Sequence, residues 1–434
     1  MPTLSPSREA ITLSDMVPGV VSARRSAISG SSTLRLADWL LIAIAGALPL
    51  YVVRWHYGPV PTTLLETLII VAVVVYVIGR LAGGWRRPLA TGYEIPILLL
   101  LVAGAVSVWV AKDHRSALGL YRAFFIEPVA VFYIAIDLLR RPEIVRRVVL
   151  ALAVGSSLLA ILNLVAVGKA LATHSLNVGS APNAVYGDAN YVAMYLEPPV
   201  ALAVAFVLLS EGRLRQIGAV WLAVTGLALL LTFSKGAYLA LGVLGFIAVL
   251  SLRRWRWPLL AGLVVVAAAI SQIPPIKERW SSAGNALLGR FEIFQATIVM
   301  IRDHPLFGVG LGGFNYRYRG WAAEPYPHNI WLAFWVELGL LGLIAFAVIF
   351  FALLWRGWRA WPRVTGIYRP ALWGTLVGLL LWAVHGMADS PYWKNDMSVE
   401  FWLLAAIDVA AVASIASAGA RAPRADKVPI TISP

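Results

Sequence analysis

Residues 329–355 read NIWLAFWVELGLLGLIAFAVIFFALLW, and Glu337 is the one charged side chain in the run. An α-helix rises about 1.5 Å per residue, so roughly 20 such residues cross a hydrocarbon core about 30 Å thick. Lipid offers the backbone no hydrogen-bond partners, so an apolar run of this length has to be helical. Arg356, Arg359 and Arg363 follow it, and a long polar approach precedes it. The stretch therefore reads as a membrane span with one basic end.

The same pattern repeats outward in both directions. Apolar runs occupy residues 37–53, 62–79, 94–111, 117–139, 148–167, 190–209, 217–233, 236–252 and 257–274 before it, and 371–388 and 398–419 after it. Of the 434 residues 60% are apolar and 13% charged, about half the charged share of a soluble domain. The period-2 alternation of an outer-membrane barrel is absent. The expected fold is an all-α polytopic membrane protein of about 12 transmembrane helices.

Charge orients it. With the N-terminus inside, Arg80, Arg86, Arg87, Arg140, Arg141, Arg146, Arg147, Arg213, Arg215, Arg253 and Arg254 join Arg356–Arg369 in cytoplasmic segments, as the positive-inside rule requires. Both termini are then cytoplasmic. The net charge of +14 follows from this bias and from anionic headgroups, so it is no argument for nucleic acid as a partner. The absence of cysteine excludes disulfides, thiolate catalysis and Cys-based metal sites.

Five regions are expected: a disordered cytoplasmic tail (1–36), spans one to nine (37–274), an external loop (275–328), spans ten to twelve (329–419) and a second cytoplasmic tail (420–434). Residues 168–189 form a shorter polar external connection. The 275–328 loop is long enough to be functional. Within it Phe291, Phe294, Ile298 and Ile301 recur at helical spacing, so residues 290–303 read as an amphipathic helix at the membrane surface. Pro305 and the glycine-rich FGVGLGGF end it. All six histidines, His56, His114, His174, His304, His328 and His385, fall in or beside external segments.

Gly308-x-Gly310-x-x-Gly313 matches a dinucleotide fingerprint formally, but no strand precedes it, and a tight re-entrant turn is the better reading. No DxD, HExxH or EF-hand pattern occurs, so no metal or other cofactor is expected. His328 stands where the long loop enters a helix, whose dipole favours the neutral, proton-accepting ring. A helix-capping or interfacial histidine is the alternative. Lys235, Arg290, Arg302, Arg317, Arg319 and Arg122 oppose the charge bias by lying outside or near the outer face. As a set they suit a phosphate or pyrophosphate headgroup, although any one alone could snorkel to lipid. Glu127-Pro128 and Glu197-Pro198-Pro199 place carboxylates inside spans, for function or for pairing with Arg122 and backbone freed by proline.

Pro305–Phe314, Pro327-His328-Asn329-Ile-Trp-Leu332 and Glu337-Leu-Gly339 together resemble the core signature of the O-antigen ligase and polymerase superfamily. Three further segments agree in order: Gly187-Asp-Ala-Asn190, Thr232-Phe-Ser-Lys235-Gly236 and His385-Gly-Met-Ala-Asp389. The resemblance covers about residues 185–410. It implies a metal-independent glycosyltransferase of the bacterial cytoplasmic membrane, with its active site on the external face. Such an enzyme moves a glycan from an undecaprenyl-pyrophosphate carrier to an acceptor hydroxyl. On that reading His328 is the base, and Arg290, Lys235, Arg317 and Arg319 hold pyrophosphate. Asn329, Glu337, Asn190, His385, Asp389 and Arg122 support them. Lys235 stands where the family usually has arginine, which keeps the charge but loses the bidentate fork. A polymerase or a protein O-oligosaccharyltransferase shares this chemistry. A secondary transporter is the rival of another class, but it should concentrate its charges near the membrane midplane rather than in an external loop.

Overall fold

The computed structural model describes residues 18–58, 60–83, 90–177, 181–251, 256–272, 274, 277, 283–318 and 325–421. Helices dominate. In chain order they are α1 (Pro18–Ala47), α2 (Leu64–Ala82), α3 (Glu94–Val110), α4 (His114–Leu138), α5 (Pro142–Ala172), α6 (Ala189–Leu209), α7 (Gly212–Leu230), α8 (Lys235–Ser251), α9 (Arg256–Ser271), α10 (Ala283–Asp303), α11 (Gly313–Arg317), α12 (Ile330–Ala360), α13 (Tyr368–His385) and α14 (Asn395–Arg421). Every expected apolar run coincides with a helix. Among the described residues, eight helices are long and apolar enough by themselves to cross a membrane, and α3 and part of α8 are shorter apolar helices. The chain is an all-α polytopic membrane protein in its dominant architecture.

Several boundaries differ from the expectation. A two-stranded antiparallel hairpin, β1 (Arg54–Tyr57) and β2 (Val60–Thr63), joins α1 to α2. Its Pro, Val, Thr and aromatic residues suit a short ribbon, but the run is too brief to stand out beside the flanking spans. The segment expected to be a disordered tail is helical from Pro18, whereas 1–17 and 422–434 lie outside the described residues. The surface helix starts at Ala283 rather than 290, and α5 runs on to Ala172, into the segment expected to be loop.

Helices α6, α13 and α14 form the buried centre, while α2 and α7 are largely exposed along their length, as lipid-facing helices are. Packing in lipid relies on close approach, and Gly374 and Gly378 of α13 let it rest directly on Leu202 and Pro198 of α6. Both Glu-Pro helices have freed carbonyls, and the C-terminal part of the chain satisfies them. Pro198 cannot donate to Met194, whose carbonyl instead accepts from Trp382 Nε1 at 2.7 Å. In α4, a π-turn at Arg122–Ile126 and Pro128 release the carbonyls of Ala123 and Phe124. Asn395 Nδ2 donates to the first at 2.9 Å, and Tyr392 Oη to the second at 2.8 Å. These bonds pin down the connection between α13 and α14.

Helix α12 is broken at Gly339, where φ is 75° and ψ is −176°. The glycine-rich turn plugs the break. Val309 N donates to Val336 O at 2.7 Å, Leu340 N to Pro305 O at 3.1 Å, and Trp335 Nε1 to Pro305 O at 3.0 Å. The Glu337 carboxylate accepts from Gly312 N at 2.7 Å, and the Glu337 carbonyl accepts from Ser107 Oγ at 2.7 Å. The motif is thus the re-entrant turn expected, and Glu337 is the buried acid that ties it to the helix. A Cβ at Gly339 would overlap the Leu306 carbonyl. Gly339→Ala is therefore expected to cost on the order of 3 kcal/mol from backbone strain and overpacking together, read as a lower unfolding midpoint in detergent.

Candidate active site

Asn329, not His328, caps α12. Its Oδ1 accepts from Trp331 N at 3.1 Å and Leu332 N at 3.0 Å, while its Nδ2 donates to Met387 O at 3.1 Å. Ile330 N donates to Gly386 O at 2.8 Å, so the start of α12 is fastened to the end of α13. With capping assigned to its neighbour, His328 adopts φ 51°. Nδ1 of that ring lies 3.0 Å from Asp389 Oδ1. Tyr326 packs edge-on against the imidazole with ring centroids 5.5 Å apart.

Asp389 is the hub of the cluster. It is buried, its Oδ1 also accepts from Ser390 N at 2.9 Å, and its Oδ2 lies 3.7 Å from Arg290 Nη2. Burial alone would raise its pKa. The hydrogen bond and charge of His328, then Arg290 and His385, outweigh that and hold the carboxyl well below the usual carboxylate range. Arg290 reaches the cluster from α10, with its side chain 27% exposed. Its Nη1 is buried and has no hydrogen-bond partner among the described residues. A guanidinium that is anchored on one side and unspent on the other can take an anionic oxygen.

Other expected residues are brought in by the same helix ends. His385 Nδ1 pairs with Glu197 Oε1 at 2.6 Å, deep between α13 and α6. A Cβ at Gly236 would overlap His385 Nε2, so the Lys235-Gly236 turn lies against this histidine, four residues before Asp389. Asn190 follows Asp188, whose side chain caps α6, and Asn190's neighbour Tyr191 reaches Tyr326 with ring centroids 6.3 Å apart.

The remaining expected residues are placed elsewhere or are not placed. Arg122 donates to Glu66 at 2.8 Å and to Pro61 O at 3.2 Å, and it forms an ion pair with Glu127, Nε to Oε1, at 3.1 Å. It clamps the β-hairpin to α4 and bonds to none of His328, Asp389 or Arg290. The pairing weighed for Glu127 is the one observed. Arg317 is exposed, with Nη1 2.6 Å from His304 Nε2. Arg319 lies outside the described residues. No group of three potential metal-ligating His, Asp or Glu side chains occurs among the described residues.

One residue near the site went unread in the sequence. Lys394, in the connection between α13 and α14, is largely buried and bonds to Tyr51 Oη at 3.2 Å. Its signal was available, since it is a further lysine on the side where basic residues are disfavoured.

Residues 217–347 match a family model described as O-antigen ligase. The matched segment runs from α7 into α12 and carries Lys235, Arg290 and His328, and it supports placing the chain in the O-antigen ligase/polymerase superfamily. No curated protein matches the chain. The family suggests a multi-pass bacterial inner-membrane protein of glycosyltransferase type.

Proposed function

We propose that this protein transfers a glycan from an undecaprenyl-pyrophosphate carrier to an acceptor hydroxyl at the outer face of the cytoplasmic membrane. The observation that carries this reading is the His328–Asp389–Arg290 cluster, two of whose members lie within the matched segment. Nδ1–H of His328 donates to Asp389, and Nε2 of the same ring is the atom that takes the proton of the acceptor hydroxyl. The hydroxyl oxygen attacks the anomeric carbon, the bond from that carbon to the pyrophosphate breaks, and the carrier pyrophosphate departs with the electron pair. Arg290 and Lys235 meet the charge that develops on it, a task cations can perform without a metal. Asp389 stabilises the imidazolium that forms. Arg317 and Arg319 are outer contacts for the same headgroup.

In this reading the chain crosses the membrane twelve times with both ends inside. Each basic cluster then stays in the cytoplasm, and the start of α12, the end of α13 and Arg290 of α10, which meet at Asp389, face outward. The natural absence of cysteine makes this directly testable. Ser175→Cys should react with a membrane-impermeant maleimide in intact cells, and Ser210→Cys only after permeabilisation; the reverse pattern would invert the topology. Activity is tested with purified protein, a lipid-pyrophosphate glycan and candidate acceptors. Carrier pyrophosphate should be released only when a hydroxyl acceptor is present, and chelators should have no effect. Comparing a lipid-linked glycan with a lipopolysaccharide core as acceptor separates polymerase from ligase.

A further inference from the structure

Lys394 is a partly buried ammonium in an unusual setting. Its Nζ lies 3.5 Å from the centroid of the Tyr191 ring and 3.2 Å from Tyr51 Oη. Among the described residues it forms no salt bridge; Asp396, Asp188 and Asp389 act on it only as more distant charges. An ammonium has three N–H donors, and a phenol oxygen with a ring face does not use them all. Burying unspent donors is costly unless oxygen atoms of a ligand take them. Its place is set by the bonds of Tyr392 and Asn395 on either side to the carbonyls freed in α4.

The rings connect this lysine to the reacting histidine. Tyr191 lies 6.3 Å from Tyr326, and Tyr326 lies 5.5 Å from His328, centroid to centroid. A tyrosine offers an apolar body and a polar tip, the combination that fits a pyranose with its C–H patches and hydroxyls. Three acids, Asp396, Asp188 and Asp389, against one further cation, Arg54, act on this lysine and disfavour a second phosphate here, and Arg290 lies 3.7 Å from Asp389 Oδ2. Hydroxyl oxygens are the fitting partners.

We propose that Lys394, with Tyr191 and Tyr326, forms a saccharide-binding subsite beside His328 and receives a sugar adjoining the reacting bond. This rests on the glycosyl-transfer reading above and adds a residue that contacts the sugar rather than the pyrophosphate.

The test uses the full-length protein in detergent and two probes: a polyprenyl pyrophosphate bearing a neutral disaccharide, and the same lipid pyrophosphate without sugar. Binding is read by native mass spectrometry in the His328→Ala background, with Lys394→Met and Lys394→Gln added separately. Loss of a charge-assisted hydrogen bond should weaken binding of the disaccharide-lipid about tenfold and leave the sugar-free lipid unchanged. If donor binding is unchanged, an approximately tenfold rise in KM for a glycolipid acceptor, measured for the Lys394 variants with His328 intact and with kcat preserved, places the sugar on the acceptor and supports the subsite equally. Equal weakening of both lipids, or no change in donor binding and acceptor KM, would overturn it. A purely structural lysine would lower the unfolding midpoint of Lys394→Met. The subsite predicts no such loss, because replacing a buried charge without an acid partner by an apolar chain is neutral or stabilising. Should Lys394→Met fail to fold, Lys394→Gln, which keeps a donor and a similar length, carries the same comparison. Arg290→Ala is the control for the parent reading. If it leaves binding of the sugar-free lipid unchanged, the pyrophosphate assignment fails, independently of the Lys394 result.

Discussion

His328→Ala is expected to lower kcat by about 10² to 10⁴, the usual contribution of a positioned general base, with a much smaller change in donor binding. The ring pairs with Asp389 at 3.0 Å, and no part of α12 depends on it for capping because Asn329 caps that helix. Alanine should therefore leave the fold intact, and an unchanged unfolding midpoint checks this. Asp389→Asn should fall in the same direction by about 10², since the asparagine Oδ1 can still accept from His328 Nδ1–H but the neutral amide no longer stabilises the imidazolium. The sign of the pH effect follows from the lowered carboxyl. Stability contributed by Asp389 is fully present above the ordinary carboxylate pKa of about 4 and is lost only as pH falls through the depressed folded value. The Asp389 carboxyl should thus stay ionised in the folded protein from pH 5 to pH 8, and any change in the stability difference between wild type and Asp389→Asn across that range belongs to His328 and His385, whose charges it faces. A carboxyl carbon NMR titration of Asp389 within that range would contradict this.

Arg290→Ala is expected to be the second largest loss, about 10- to 100-fold in kcat/KM for the donor, from one charge-assisted contact removed. Arg290→Lys should retain part of the activity, because the charge remains while the planar fork is lost. Two effects combine in the alanine variant. The pyrophosphate loses the cation whose Nη1 has no hydrogen-bond partner among the described residues, and Asp389 loses the cation 3.7 Å from its Oδ2. Comparing the variants at saturating donor separates them: a loss restored by excess donor belongs to binding, and one that persists belongs to the orientation of His328 through Asp389. Equal losses in the alanine and lysine variants would argue against a charge role for Arg290.

The helices were legible because hydrocarbon imposes one solution on an apolar run, and Arg clusters mark one side of each. His328 could be picked because it stands where the long external loop enters a helix, and Arg290 because it is a cation outside the membrane, against the topological bias. Their meeting at Asp389 was not legible. That contact depends on α13 returning beside α12, fastened by Ile330 N to Gly386 O and by Asn329 to Met387 O, pairings between residues far apart in sequence. Arg122 misled for the same reason. Its position near the outer face resembled that of the other cations, yet Glu66 and Glu127 are close enough to hold it. Glu337 read as a member of the site because it stands in the motif, whereas its bond to Gly312 N ties the glycine turn into the break at Gly339. Lys394 was overlooked because its significance lies in its contact with Tyr191, whose ring in turn meets Tyr326, and no local spacing announces that.

The most direct test of the central claim measures carrier pyrophosphate released by purified protein from a lipid-pyrophosphate glycan, with and without a hydroxyl acceptor, for wild type and His328→Ala at matched folding. The account predicts acceptor-dependent release by wild type and a loss of about 10² or more in the variant. Release by His328→Ala at the wild-type rate would contradict it.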